Sequence, residues 1–177
     1  GTTTISIIIN EPTANITASQ VNTVGTRDVS ITAVTFTNNG GAAISGWGIY
    51  PTLPSGLSFN SVNGTVSGTP TVNLSTTSYT IWANNSYGDN STTVLIVVID
   101  TSPSDLSYSP SHLNFTKGVS ISDWTPTVTN GSEASWQISP ALPSGLSLNA
   151  SNGKITGMPT VNMTNTTYTV WANNSGG

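Results

Sequence analysis

The sequence predicts an all-β chain of two tandem Greek-key sandwiches with an additional strand at its N-terminus. Three observations carry this reading: a long internal repeat, apolar residues alternating at a period of two, and turn signals built from Gly, Pro and Asn-Gly between short apolar runs. No stretch carries a helical period.

The repeat comes first because it sets the architecture. Leu53-Pro-Ser-Gly-Leu-Ser58 recurs as Leu142-Pro-Ser-Gly-Leu-Ser147, a spacing of 89 residues. At the same offset Asn63-Gly64 meets Asn152-Gly153, Pro70-Thr-Val-Asn73 meets Pro159-Thr-Val-Asn162, and Tyr79-Thr-Ile-Trp-Ala-Asn-Asn-Ser86 meets Tyr168-Thr-Val-Trp-Ala-Asn-Asn-Ser175. The chain therefore holds two copies of one domain, matched closely in their second halves. The first halves, 29–46 and 119–135, differ by one residue in length and in many identities.

Taken in order, the first element is residues 1–10, where Ile5, Ile7 and Ile9 alternate. Val29, Ile31 and Ala33 read as the next strand. Asn63-Gly64, between 59–62 and 65–66, predicts a hairpin turn because Asn and Gly tolerate positive φ. Pro51, Pro54 and Pro70 punctuate the strands around it. Tyr79, Ile81 and Ala83 form an inward row, as do Val94, Ile96 and Val98, with Tyr168, Val170 and Ala172 repeating the former. Several short strands in about 90 residues with Gly/Pro turns describe a sandwich of the immunoglobulin type. With no Cys in the chain, packing alone must hold it.

The stretch from Trp136 through Leu142-Pro-Ser-Gly-Leu-Ser-Leu148 and Asn152-Gly-Lys-Ile-Thr-Gly-Met-Pro-Thr160 resembles the LPxGLxL…xGxIxGTPT signature of the He_PIG family of Ig-like domains, which are close to cadherin-like and dystroglycan-type modules. Met158 departs from it, since the family favours Thr there, as at Thr69. The resemblance implies tandem domains on extracellular, surface-attached proteins, acting as spacers or adhesive modules. It implies a fold and a setting and names no ligand.

The phase of the repeats adds to this. After Ser86 the first copy runs on into a final strand at 94–99, whereas the second copy reaches only Ser175-Gly-Gly177. Residues 1–10 resemble 91–99 in composition and alternation. Splicing the end of the sequence to its start reproduces the order of the first copy to within a residue. The expected organisation is a strand at 1–10 that completes a neighbouring unit, an Ig-like domain at 11–101, and a second at 102–177 lacking its last strand. Copies would join head to tail, with Ile5, Ile7 and Ile9 as the assembly residues.

Composition narrows the chemistry. Charged residues make up 6% of the chain, against roughly 25% in an ordinary domain, while 30 Thr and 26 Ser supply hydroxyls in their place. Three Lys+Arg, a net charge of −4 and a pI near 4.3 argue against nucleic acid, which needs clustered cations. The longest apolar run, 94–99, is far below the ~20 residues of a membrane span. A chain opening at Gly1 without Met reads as a mature or cropped segment. No catalytic residue, metal ligand or cofactor site is expected. His112, the only imidazole, has no nucleophile elbow or placed acid beside it and reads as a loop residue. Asp89, Asp100, Asp105, Asp123 and Glu133 are too scattered for the several oxygens calcium requires and read as turn residues.

Parity sorts the aromatic residues: Trp47, Trp124 and Trp136 belong to inward sets, whereas Trp82 and Trp171 point outward. Eleven N-x-Ser/Thr sequons start at Asn15, Asn63, Asn73, Asn84, Asn90, Asn114, Asn130, Asn149, Asn162, Asn165 and Asn173. Composition alone accounts for about six of them. Asn84 and Asn173 each follow an outward Trp by two residues, on the same face, so a first sugar can stack on Trp82 or Trp171. The expected function is an extracellular, secreted or cell-surface, non-enzymatic structural protein, a linear fibre coated with covalent N-glycans. The competing classes are an adhesin or carbohydrate-binding module, which would use the same Trp faces, and spacer domains of a larger tandem-repeat protein or secreted hydrolase.

Overall fold

The computed structural model describes residues 1–131 and 135–177. Its contacts divide it into two units, Gly1–Ile99 and Asp100–Gly177.

Unit 1 has eight strands: β1 (Ile16–Ala18), β2 (Asn22–Thr26), β3 (Phe36–Asn38), β4 (Gly46–Tyr50), β5 (Leu57–Phe59), β6 (Val66–Gly68), β7 (Leu74–Asn85) and β8 (Gly88–Ile99). One sheet runs β2-β8-β7-β4, with β8 parallel to β2 and antiparallel to β7. The other layer consists of the β1-β3 and β5-β6 pairs, joined by a bridge between Val34 and Val66. Between the layers lie Val34, Phe36, Leu57, Val66, Tyr79, Ile81, Val94, Ile96 and Val98. The period-two reading of β7 and β8 therefore holds. Tyr79, Ile81, Ala83, Val94, Ile96 and Val98 are all buried, as β-branched and aromatic residues on one face of a pleated strand should be. The β7–β8 turn is fixed by Asn85, whose Oδ1 accepts the Tyr87 amide at 2.9 Å, and by Gly88 at φ 139°.

The reading of Val29, Ile31 and Ala33 as a strand is corrected. Asp28 adopts φ 62°, the Val29 amide turns back to the Thr26 carbonyl at 3.1 Å, and residues 29–33 join no ladder. The turn shifts the alternation by one residue, so Val34 and Phe36 enter the core while Val29 and Ala33 are exposed. The Asn-Gly hairpin is present with a wider loop than expected, its arms lying further out at Leu57–Phe59 and Val66–Gly68. Phe59 pairs with Val66, and residues 60–65 form the loop, organised by Asn60, whose Oδ1 accepts the amides of Val62 and Asn63. Gly64, at φ 72°, lies against the Trp47 indole, where an added Cβ would approach within 2.6 Å.

Unit 2 repeats this plan in part: β9 (Ser107–Tyr108), β10 (Pro126–Thr127), β11 (Ser135–Ser139), β12 (Leu146–Leu148), β13 (Ile155–Gly157) and β14 (Thr169–Asn173). The pairs are β9-β10, β11-β14 and β12-β13, with a bridge between Trp124 and Ile155 in the place of Val34–Val66. Its hairpin loop is a copy of the first: Asn149 Oδ1 accepts the Ser151 amide at 2.9 Å, and Gly153, at φ 70°, lies against Trp136. Trp136 is buried, while Trp47 and Trp124 are half-buried, each packed on its own unit. Each unit is an immunoglobulin-like sandwich.

Candidate assembly cleft

In unit 1 the four-stranded sheet is completed by β8, which pairs with β7 on one side, setting its own inward row beside that of β7, and with β2 on the other. Among the described residues of unit 2, β14 pairs only with β11, and no strand holds the position of β8. The result is a cleft of about 1000 Å³. Its walls come from three places. The floor is Trp124, Ile155 and Ile138, one wall is Leu113 and Phe115, and the other is Met163, Tyr168 and Val170.

Exposure reports the same opening. Tyr79 and Ile81 are fully buried, whereas their repeat partners Tyr168 and Val170 are only half-buried. Leu113, Phe115 and Met163 are exposed at 38%, 37% and 50%. Tyr108 and Phe115 both meet Trp124 edge-on, at centroid distances of 5.0 and 6.3 Å, which gives the cleft an aromatic floor. Burial pushes the Tyr108 hydroxyl up from its ordinary range, and it donates to the Gly153 carbonyl at 2.6 Å. Leu113, Phe115 and Met163 were not singled out from the sequence. The signal lay in the apolar residues at 113, 115 and 163, which belong to no alternating run long enough to read as a strand.

Residues 1–10 form no strand within unit 1. Ile5, Ile7 and Ile9 are exposed at 76%, 77% and 92%, and Ile8 with them. They stand 89 residues before Val94, Ile96 and Val98, the spacing of the domain repeat itself. The chain following them is gripped alike in both units: Asn85 Nδ2 donates to the Pro12 carbonyl at 3.4 Å, and Asn174 Nδ2 to the Thr101 carbonyl at 2.7 Å.

The remaining residues fall as follows. Trp82 and Trp171 face outward, and the Trp82 indole lies on Gly48, where an added Cβ would come within 2.3 Å of the ring. Of the eleven sequon asparagines all are exposed except Asn90 and Asn173, which are half-buried. Asn130 uses Nδ2 to donate to Ser104 Oγ at 2.8 Å. His112 is exposed on the rim of the cleft. Asp105 accepts the Thr129 hydroxyl at 2.6 Å, Asp123 pairs with Lys154 at 3.3 Å, and Asp100 is buried, accepting the Ser175 hydroxyl at 2.8 Å. Glu133 lies outside the described residues. Among the described residues no three His, Cys, Asp or Glu side chains gather as metal ligands, and no helix is long and apolar enough to cross a membrane.

Fold and repeat together define a protein of tandem immunoglobulin-like sandwiches. The He_PIG family (Putative Ig domain) matches residues 6–100 and again 96–177, and the chain belongs to this family. Among solved structures the chain is similar to a putative alpha-galactosidase from Bacteroides fragilis, at 20% identity and TM-score 0.40, over 53% of this chain and 19% of that one. It is also similar to human protocadherin-24 EC1-2, at 12% identity and TM-score 0.45, over 92% and 94% of the two chains. A third likeness is to extracellular domains 3–5 of Drosophila OTK, at 18% identity and TM-score 0.48, over 92% and 58%. The chain thus spans about a fifth of the bacterial protein it matches. No curated protein sequence matches it.

Proposed function

We propose that this is a non-enzymatic structural protein of the cell exterior that assembles head to tail into a linear, N-glycosylated fibre. Residues 1–10 of one copy add as a strand to the cleft of unit 2 in the next. The observation that carries the reading is the match between an unpaired run of exposed isoleucines and a cleft bounded by the residues whose counterparts β8 covers in unit 1. An open sheet edge beside an exposed apolar strip is a state that proteins normally cover. Three isoleucines buried at about 1.5–3 kcal/mol each, together with main-chain ladder bonds, provide the affinity. Glycans would supply solvation and steric separation that so few charges cannot.

The experiment is imaging of the full chain with and without Ile7→Asp. The unaltered chain is expected to form fibres and the variant to remain dispersed, because a charge would be buried without a partner. Fibres from Ile7→Asp at unchanged yield would remove the reading. Denaturing electrophoresis of deglycosylated native material then gives the covalent size. A band near 18.2 kDa supports separate subunits, and a very large band replaces them with one covalent array complemented in the same way.

A further inference from the structure

Resting on the strand-complementation reading above, we infer that the cleft accepts its strand in a single register and that insertion folds two segments of unit 2, residues 113–115 and 163–168, from irregular chain into sheet. Ile5 lies opposite Tyr168, Ile7 lies opposite Thr166 and beside Leu113, and Ile9 lies opposite Met163 and beside Phe115.

The register follows from unit 1. There Val94 stands opposite Tyr79, Ile96 opposite Thr77 and Val98 opposite Leu74, while on its other edge Ile96 pairs with Thr23 and Val98 with Gly25. Moving β8 and β7 by the 89-residue repeat converts the first set into Ile5–Tyr168, Ile7–Thr166 and Ile9–Met163. The β2 side moves by one residue more, and shared backbone bonds fix that extra step. The Asp28 amide donates to the Pro70 carbonyl, and the Gly118 amide to that of Pro159. The Ile31 amide donates to the Gly68 carbonyl, and the Ile121 amide to that of Gly157. Asp28 and Gly118 both hold positive φ, 62° and 79°. Thr23 therefore corresponds to Leu113 and Gly25 to Phe115.

The folding step follows from what the two units lack in common. β7 begins at Leu74, and β2 spans Asn22–Thr26, but β14 begins only at Thr169 and residues 112–116 join no ladder. Both missing stretches are those that β8 pairs with in unit 1. A strand needs a partner for its backbone donors and acceptors, so the same sequence pattern is laddered beside β8 and irregular beside an empty cleft. Where unit 1 has Gly25, unit 2 has Phe115 edge-on to Trp124, so Ile9 meets an aromatic ring instead of backbone.

The chain has no cysteine, so introduced thiols report the register directly. Ile7→Cys with Thr166→Cys puts two thiols at directly opposed positions, about 4.5–5.5 Å apart at Cα, within disulfide reach. Ile5→Cys with Thr166→Cys keeps the same face but offsets the pair by two residues, clear of the bulge that unit 1 shows between Leu74 and Thr77. After mild oxidation of fibres, the first pair is expected to give an intermolecular covalent ladder about tenfold stronger than the second. An equal or stronger ladder from the offset pair overturns the register while leaving strand assembly standing. A cross-link confined to single chains means that the cleft is filled by its own chain and overturns both. Hydrogen exchange on the unaltered chain tests the folding step without any substitution. Amides of 113–115 and 163–168 are expected to exchange at least about tenfold more slowly in fibres than in dilute, freshly refolded chain, and unchanged exchange overturns the claim that these segments fold on docking.

Discussion

The two units carry the same signature residues and differ in how much of them is covered. Tyr79, Ile81 and Ala83 are sealed in unit 1, while Tyr168, Val170 and Ala172, in the same order on the same strand, stay half-open. β7 runs for twelve residues and β14 for five, although Tyr-Thr-Ile/Val-Trp-Ala-Asn-Asn-Ser is common to both. The difference is the neighbour. Strand length is set by the backbone groups available on the adjacent edge, and β8 is present for β7 and absent for β14 among the described residues.

The largest effect expected from this comparison comes from one substitution made at two places 89 residues apart. Ile96→Asp puts an unpaired charge at a position with no exposure, and should cost unit 1 about 4 kcal/mol or more. Ile7→Asp alters a residue 77% exposed and should leave the stability of the dispersed chain within about 0.5 kcal/mol of the original. Urea unfolding of dispersed chain measures both. A comparable loss from Ile7→Asp in dispersed chain would mean that residues 1–10 already pack within it.

A smaller effect separates the acceptor faces. Ile81→Ala, at a fully buried site, is expected to cost about 2–5 kcal/mol. Val170→Ala removes two methyl groups from a half-buried position and should cost about 1 kcal/mol in dispersed chain. Its cost should rise once the cleft is filled, so fibres carrying Val170→Ala should melt earlier than unaltered fibres by more than the dispersed chains differ. Equal penalties in both states would mean that Val170 gains no cover on assembly.

Legibility in the sequence tracked how local the cause was. The inward rows of β7 and β8 were readable because alternation persists over a whole strand with β-branched residues on one face. Both Asn-Gly loops were readable because only certain residues tolerate positive φ at Gly64 and Gly153. Val29 to Ala33 misled because alternation over three residues does not reveal a reversal at Asp28, which shifts the phase of everything after it. The cleft walls at Leu113, Phe115 and Met163 were not legible for a different reason. Leu113 and Phe115 make a run of only two alternating apolar residues and Met163 stands between Asn162 and Thr164, too little for a period to show.

The smallest effect concerns the outer face, where the units differ in what lies under the tryptophan. Trp82 rests on Gly48, its opposite residue on β4, which leaves one indole face on backbone and the other outward, at 38% exposure for the residue. Trp171 lies opposite Gln137 on β11, at 42% exposure. Asn84 and Asn173 follow at the next position on the same face, so a sugar on either nitrogen begins about 7 Å along the strand from the indole. Stacking a sugar on such a ring is expected to contribute about 0.5–1.5 kcal/mol, with the larger share in unit 1, where glycine lets the ring lie flat. The measurement is a cycle: the cost of Trp82→Ala in glycosylated chain, less its cost after enzymatic deglycosylation, isolates the sugar from the packing on Gly48. The same cycle on Trp171 gives the comparison between units. A difference of zero at both positions reduces the two tryptophans to local packing, and glycopeptide mass spectrometry finding Asn84 and Asn173 bare in native material removes the stacking role altogether.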